Sequence, residues 1–279
     1  MIEVFFQYDF LKFSLYTALI VGILTPAVGV FLVVRRLSLM ADALSHITLT
    51  GIAFSLLLGR SIPFFAGLNP VYMGMLFSVS GSLLVNRLGF VFKHYRELAI
   101  PIILSSGIGI GVVFISLADG FNNDLLNYLF GSVAAVSSQD FQLMMLLLTG
   151  VIAFIVLFYK ELLFLSFDEE QAVTSGLPKK FLDVSFMVVV AVVIGVSMQI
   201  VGILLVSALM TLPVAAAMRL AKSFKAMLLY SILIGEISVL VGMISAFHLD
   251  LAPGGTIVLT NLALLILVIM ITGSGKKRA

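Results

Sequence analysis

From Leu11 to Val34 the sequence runs LKFSLYTALIVGILTPAVGVFLVV. Roughly 20 mostly apolar residues in a helix are enough to cross a lipid hydrocarbon layer. The pattern recurs. Reading apolar runs between charges gives further candidate spans at 40–59, 62–85, 98–118, 139–159, 184–200, 202–218, 226–247 and 256–272, nine with the first. A segment in hydrocarbon must satisfy its backbone polar groups internally. The expectation is therefore an all-α integral membrane protein of about nine transmembrane helices, one domain over residues 1–279. Composition agrees, with 61% of residues hydrophobic and 11% charged, far from the usual balance of soluble domains.

Three places interrupt this map. The stretch 184–218 reads either as two short helices broken at Gly202 or as one long irregular pair. Asn122 to Val136, NNDLLNYLFGSVAAV, is too short and polar to span and reads as a short helix near one surface. The longest polar stretch, about 166–183, reads as a loop. The N-terminus lacks the basic region of a secretory signal, and the first run is long enough to span rather than be cleaved. No repeat of 20–50 residues stands out, which disfavours a carrier built on inverted repeats.

The charges orient the map, because cytoplasmic connections carry an excess of Lys and Arg. With the N-terminus outside and the C-terminus cytoplasmic, every basic residue except Lys12 and Arg60 falls in a cytoplasmic connection. These are Arg35 and Arg36; Arg87, Lys93 and Arg96; Lys160, Lys179 and Lys180; Arg219, Lys222 and Lys225; and Lys276, Lys277 and Arg278. The outer connections hold Glu3, Asp9, Asp119, Asp124, Asp140 and Asp250. One span fewer would turn the basic tail outward, which favours nine.

Against this apolar background the few polar side chains carry the chemistry. Asp42 and His46 are spaced i, i+4. On a helix that spacing stacks them on one face, within reach of one ion. A neutral imidazole and a carboxylate suit zinc, manganese or iron(II). Two ligands do not close a site, so water or other helices would complete it. The plain alternatives are that Asp42 caps a helix or that the two side chains bond each other. Glu236 lies near the middle of a span, where a charge must face protein, water or a cation, or be protonated. It reads equally as a pathway residue or a structural hydrogen-bonding group. His248, at the outer end of that span beside Asp250, reads as a surface histidine, with a metal role as the sharper alternative. His94 reads as a solvated residue of a basic loop. Pro213 should kink or break its helix. The glycines of SSGIGIGVV, Ser105 to Val113, read as packing sites rather than pore lining.

In LSFDEEQAVTSGLPKKF, Leu165 to Phe181, Asp168 can cap a short helix with Glu169 and Glu170 in its first turn, ended by Gly176 and Pro178. It is either an ordinary amphipathic loop or a docking helix for a soluble partner. The absence of cysteine excludes disulfides and thiolate metal sites. There is no GxxxxGK[ST] loop and no recognisable catalytic constellation. The basic residues are dispersed between spans, which argues against nucleic-acid binding. The chain therefore reads as a membrane protein, not an enzyme.

RRLSLMADALSHITLTGIAFSLLLG, Arg35 to Gly59, resembles the signature of the membrane permeases of zinc and manganese ABC importers. YLFGS (Tyr128 to Ser132), FDEEQAVTSGLP (Phe167 to Pro178), GILLVSALMTLPVAAAMRLAKSF (Gly202 to Phe224) and DLAPGGTIVL (Asp250 to Leu259) extend the resemblance over nearly the whole chain. The KHYRE and AMRLAKSFK stretches look most like the zinc-uptake permeases of Gram-positive bacteria. Where Ala41 stands, that family often has Gly. The resemblance implies an all-helical permease of the cobalamin-importer (type II) kind in the bacterial cell membrane. Two copies would pair around a central path. Each would dock a cytoplasmic ATPase, and an extracytoplasmic binding protein would deliver the metal. Asp42 and His46 would be transient metal ligands. FDEEQAVTSGLP would be the ATPase-coupling helix, with Asp168 and Glu169 at its start and Ala172 and Gly176 at its small-residue positions. The resemblance implies no permanent cofactor. Zn2+, or Mn2+ or Fe2+, is the cargo, and ATP acts only through the partner. No family motif covers Glu236 or His248, which remain additional metal candidates from sequence alone. A carrier or channel without an ATPase, using Glu236 as a proton site, is the rival class.

Overall fold

The computed structural model describes residues 9–92, 95–118, 120, 123–131 and 136–275. His94 and Lys93 lie outside the described residues, as do Asp119, the N-terminal segment with Glu3, and the basic tail. The helices are α1 (Asp9–Val34), α2 (Leu39–Ser61), α3 (Pro63–Ala66), α4 (Pro70–Val91), α5 (Ala99–Leu117), α6 (Asn123–Phe130), α7 (Ser138–Leu157), α8 (Tyr159–Phe167), α9 (Glu169–Thr174), α10 (Lys179–Val201), α11 (Ile203–Leu220), α12 (Phe224–Leu249) and α13 (Pro253–Gly275). A single 3-10 turn, Arg96–Leu98, leads into α5. Among the described residues, nine helices are long and apolar enough to cross a membrane: α1, α2, α4, α5, α7, α10, α11, α12 and α13. As each crosses once, their connections alternate between two ends. One end, here the basic end, carries Arg35, Arg36, Lys160, Lys179, Lys180, Arg219, Lys222 and Lys225.

The boundaries differ from expectation where charge sits inside a helix. The third span runs Pro70–Val91 rather than 62–85. Pro63 opens the single turn α3, and the chain restarts at Pro70, where the Asn69 side chain accepts from the Val71 N–H at 3.0 Å. Proline at the first helical position has no N–H to orphan. α4 then continues through Arg87, whose long stem lets its charge reach the interface. Likewise α10 starts at Lys179, not 184, and takes Lys180 and Asp183 into its first turns.

The ambiguous 184–218 region is two helices meeting at Gly202. Gly202 has φ +81°, ψ 160°, a conformation open essentially only to glycine. A Cβ there would sit 2.5 Å from the Gly131 backbone nitrogen. α11 is not broken at Pro213 but runs through it. There the α1 backbone comes so close that a Cβ at Gly29 would lie 2.1 Å from the Met210 carbonyl oxygen. α6 is the expected short helix of the Asn122–Val136 stretch and does not span.

α2 lies against α4 and α5; α1, α11, α12 and α13 pack together, and α10 lies against α4, α1 and α2. Phe31 and Leu24 of α1, Met40 and Leu44 of α2 and Phe186 of α10 are fully buried where these groups meet. α5, α7 and α13 leave most of their residues unburied.

Candidate functional site

α2 begins at Leu39 with Ser38 as the preceding cap residue. Asp42 lies in the first turn and is not the cap, a place where the helix dipole favours a carboxylate. At 1.5 Å per residue, Asp42 and His46 sit roughly 5 and 10 Å above the helix start. The pair is therefore in the third of the span nearest the basic end. Both side chains are half-buried, while Ala41, Ala43, Leu44 and Ser45 around them are fully buried. No hydrogen bond joins Asp42 to His46 among the described residues, although they are close enough for their charges to interact. Both plain alternatives, a capping Asp42 and a mutually bonded pair, are therefore absent.

Neighbouring contacts fix the face the pair presents. Ile47 packs on Gly81 of α4 and Gly107 of α5, where a Cβ would meet it at 2.6 and 3.0 Å. The Thr50 hydroxyl lies 2.9 Å from the His46 carbonyl and 2.7 Å from the Gly107 carbonyl. The α5 glycines at 107 and 111 thus serve packing against α2. Among the described residues, no group of three or more His, Cys, Asp or Glu within one chain could hold a metal. Asp42 and His46 put one carboxylate and one imidazole, both half-buried, on the same face of α2.

Glu236 is elsewhere. It stands at the middle of α12, half-buried against Gly22 of α1, where a Cβ would come 2.6 Å from its Oε1. That oxygen has no hydrogen-bond partner among the described residues. α12 packs on α1, α11 and α13, whereas α2 packs on α4 and α5, so the fold does not bring Glu236 to Asp42 and His46. His248 is exposed at the far end of α12, its ring 5.8 Å from that of Phe247, with Asp250 at the helix cap.

At the basic end, Asp168 caps α9, its Oδ1 accepting from the Gln171 N–H at 2.9 Å, and Gly176 ends the turn with φ +84°. Lys179 forms an ion pair with Glu169. Ala172 faces inward, fully buried with Leu165 and Leu182. The outward surface of this loop includes Phe167, Glu170, Gln171 and Val173. By sequence Arg35 is a marker of the membrane edge. The structure gives it more to do: Nη1 lies 3.0 Å from Asp183 Oδ1, and Nε donates to Ser166 Oγ at 3.2 Å. Burial lowers the Arg35 pKa, while the Asp183 carboxylate pulls it back up. No local signal announces a pair separated by more than half the chain. A cavity of about 850 Å³ opens beside it, lined by Arg36, Ser38, Asn86, Glu97 and Lys179 among others.

The family profile described as the ABC 3 transport family matches residues 7–272. The chain belongs to the ABC 3 transport family. It is 35% identical to the manganese transport system membrane protein MntC of Listeria monocytogenes over 92% of this chain and 89% of that one. It is 34% identical to the manganese import system permease protein ScaB of Streptococcus gordonii, over 96% and 94% of the two chains. Among solved structures it is similar to PsaBC from Streptococcus pneumoniae in complex with Fab, with a TM-score of 0.82 and 31% identity, covering 96% of this chain and 94% of that chain. The chain thus has the all-helical permease fold of its ABC family, and it is a membrane component of transport.

Proposed function

We propose that this chain is the membrane permease of an ATP-driven importer of a first-row divalent metal, Zn2+ or Mn2+, and that Asp42 and His46 are the groups that meet the ion. The observation that carries this is a carboxylate and an imidazole, both half-buried, on one face of α2 in a chain of this family. An importer must bind its ion well enough to select it and weakly enough to release it, which an open Asp/His site without thiolate suits. A carboxylate–imidazole pair does not choose between the two metals. The KHYRE and AMRLAKSFK stretches favour zinc, and the names of the Listeria and Streptococcus relatives favour manganese. A second copy of the chain would face this one across the path and complete the ion's shell. The basic end would lie in the cytoplasm, following the positive-inside rule, with the N-terminus outside. The loop around α9 would there dock an ATPase, since this sequence has no nucleotide loop of its own. A binding protein would deliver metal to the opposite end of the bundle.

The test is uptake into vesicles holding permease, ATPase and binding protein, with and without ATP, using Zn2+ and Mn2+ in separate arms. ATP-dependent accumulation of one ion supports the reading and names the cargo. Equal accumulation without ATP would point instead to a carrier.

A further inference from the structure

Arg35 ties together segments that the chain path keeps apart. Its side chain is only 8% exposed. Ser166, which accepts from its Nε at 3.2 Å, is in the last turn of α8; Asp183, 3.0 Å from its Nη1, is in the first turns of α10. These two residues flank the loop that carries α9. The guanidinium also lies over the Phe186 ring, 5.0 Å from its centroid. The Ser166 hydroxyl donates to the Leu162 carbonyl at 2.6 Å, so it accepts from Arg35 while its own proton stays engaged in α8. Within the loop, the Lys179–Glu169 pair closes the base of α9.

On its other side Arg35 opens the turn into α2. Arg36 takes the left-handed conformation, φ 59°, and the Leu37 N–H bonds back to the Leu32 carbonyl at 2.8 Å. This is the 6→1 closure of a helix end that usually carries glycine at the Arg36 position. α2 starts directly afterwards, with Asp42 in its first turn. A buried ion pair is weak evidence for stability, because apolar side chains would hold the same helices at least as well. Moreover, Arg35 Nη2 is buried without a hydrogen-bond partner among the described residues, and the residue borders the 850 Å³ cavity between the loop and the foot of α4. The joint therefore has a spare donor and adjoining room, features of a joint that moves rather than a fixed staple.

We propose that Arg35 is a positioning residue that carries displacement of the Ser166–Asp183 loop to α2, and so to the Asp42–His46 pair. This rests on the permease reading above, in which that loop docks the ATPase.

The experiment measures metal taken up and ATP hydrolysed in the same vesicles, for the wild type and for Arg35→Gln, Asp183→Asn and Ser166→Ala. ATPase co-purification is scored in parallel. Expected for Arg35→Gln is an assembled complex that still hydrolyses ATP, with metal moved per ATP falling about tenfold, the size of a typical coupling between distant sites. Arg35→Lys, which keeps the charge but lacks the planar fork that reaches Ser166 and Asp183 from separate nitrogens, should recover part of the loss. An unchanged metal-to-ATP ratio in Arg35→Gln overturns the proposal, and so does a loss confined to assembly. If Arg35→Gln does not fold, the milder variants decide: a wild-type ratio in both Asp183→Asn and Ser166→Ala overturns it, and a lowered ratio upholds it. Should the wild type itself show no ATP-dependent uptake, the permease reading fails instead.

Discussion

The Thr50 hydroxyl at the midpoint of α2 lies 2.7 Å from the Gly107 carbonyl of α5. The contact exists because α5 offers glycine there; a Cβ at Gly111 would sit 2.8 Å from the same hydroxyl. Thr50→Val keeps the shape and removes the bond. A hydrogen bond between membrane helices contributes about 1 kcal/mol, so thermal unfolding in detergent should show a loss of that order. Because the hydroxyl also reaches the His46 carbonyl at 2.9 Å, metal affinity should drop as well. Unchanged stability in the valine variant would mean the two helices are held by packing alone.

Asp42→Ala and His46→Ala should each abolish uptake while leaving assembly with the ATPase intact. Among the described residues neither side chain has a hydrogen-bond partner, and both are half-buried, so truncation strands no buried partner there. Isotope uptake together with co-purification checks this. If both variants transported normally, the ligand assignment would be wrong.

Glu236→Gln should leave metal affinity within about twofold of wild type, since α12 and α2 pack in different groups and substitutions away from a site have small effects. Loss of ATP-independent proton-coupled uptake in this variant, with Asp42→Ala unaffected, would favour the rival carrier. Glu236→Leu is the harsher substitution. It places branched carbon against Gly22 where the carboxylate oxygen now fits, and overpacking typically costs about 1–3 kcal/mol.

Gly202→Ala should be among the most damaging small substitutions in the chain. The backbone there has φ +81°, and the added Cβ would stand 2.5 Å from a backbone nitrogen that cannot swing away. Strained backbone of this kind costs about 1–3 kcal/mol before the clash is counted. Gly109→Ala on α5 is the control, because a Cβ there meets nothing within 4 Å. It should be neutral or gain up to about 1 kcal/mol in helix propensity. The two variants can be compared by folded yield and melting temperature in one detergent.

How far the sequence could be read depends on the range of the interaction. The spans were legible because run length is a local property that the hydrocarbon layer enforces. Their ends were not, since Arg87, Lys179 and Asp183 lie inside helices that a charge-bounded reading cuts short. The Gly202 break and the i, i+4 face of Asp42 and His46 are local too, and both could be anticipated. Whether those side chains have partners on other helices is not, because Glu236 and α2 are related only through the packing of several helices. The Arg35–Asp183 pair spans 148 residues and leaves no periodic trace. In the six-residue α9, too few turns exist for periodicity to show which side faces in.

That last point yields a prediction about the loop helix. Ala172 and Gly176 stand at the small-residue positions of the family-like stretch, yet Ala172 has no exposed surface and packs with Leu165 and Leu182. Its smallness serves the joint between α8, α9 and α10. Val173 is 47% exposed and Phe167 68% exposed on the outward surface. Ala172→Leu should therefore damage this chain itself, by about 1–3 kcal/mol as overpacking does, and lower its melting temperature with or without a partner. Val173→Asp should leave the isolated permease unchanged, because it adds only a solvated charge, but should weaken ATPase co-purification. An interfacial apolar side chain replaced by a charge commonly costs about 2 kcal/mol or more, roughly thirtyfold in affinity. Measuring both variants alone and in complex separates inner packing from the docking surface. If Val173→Asp bound the ATPase as tightly as wild type, α9 would not be the surface that meets it.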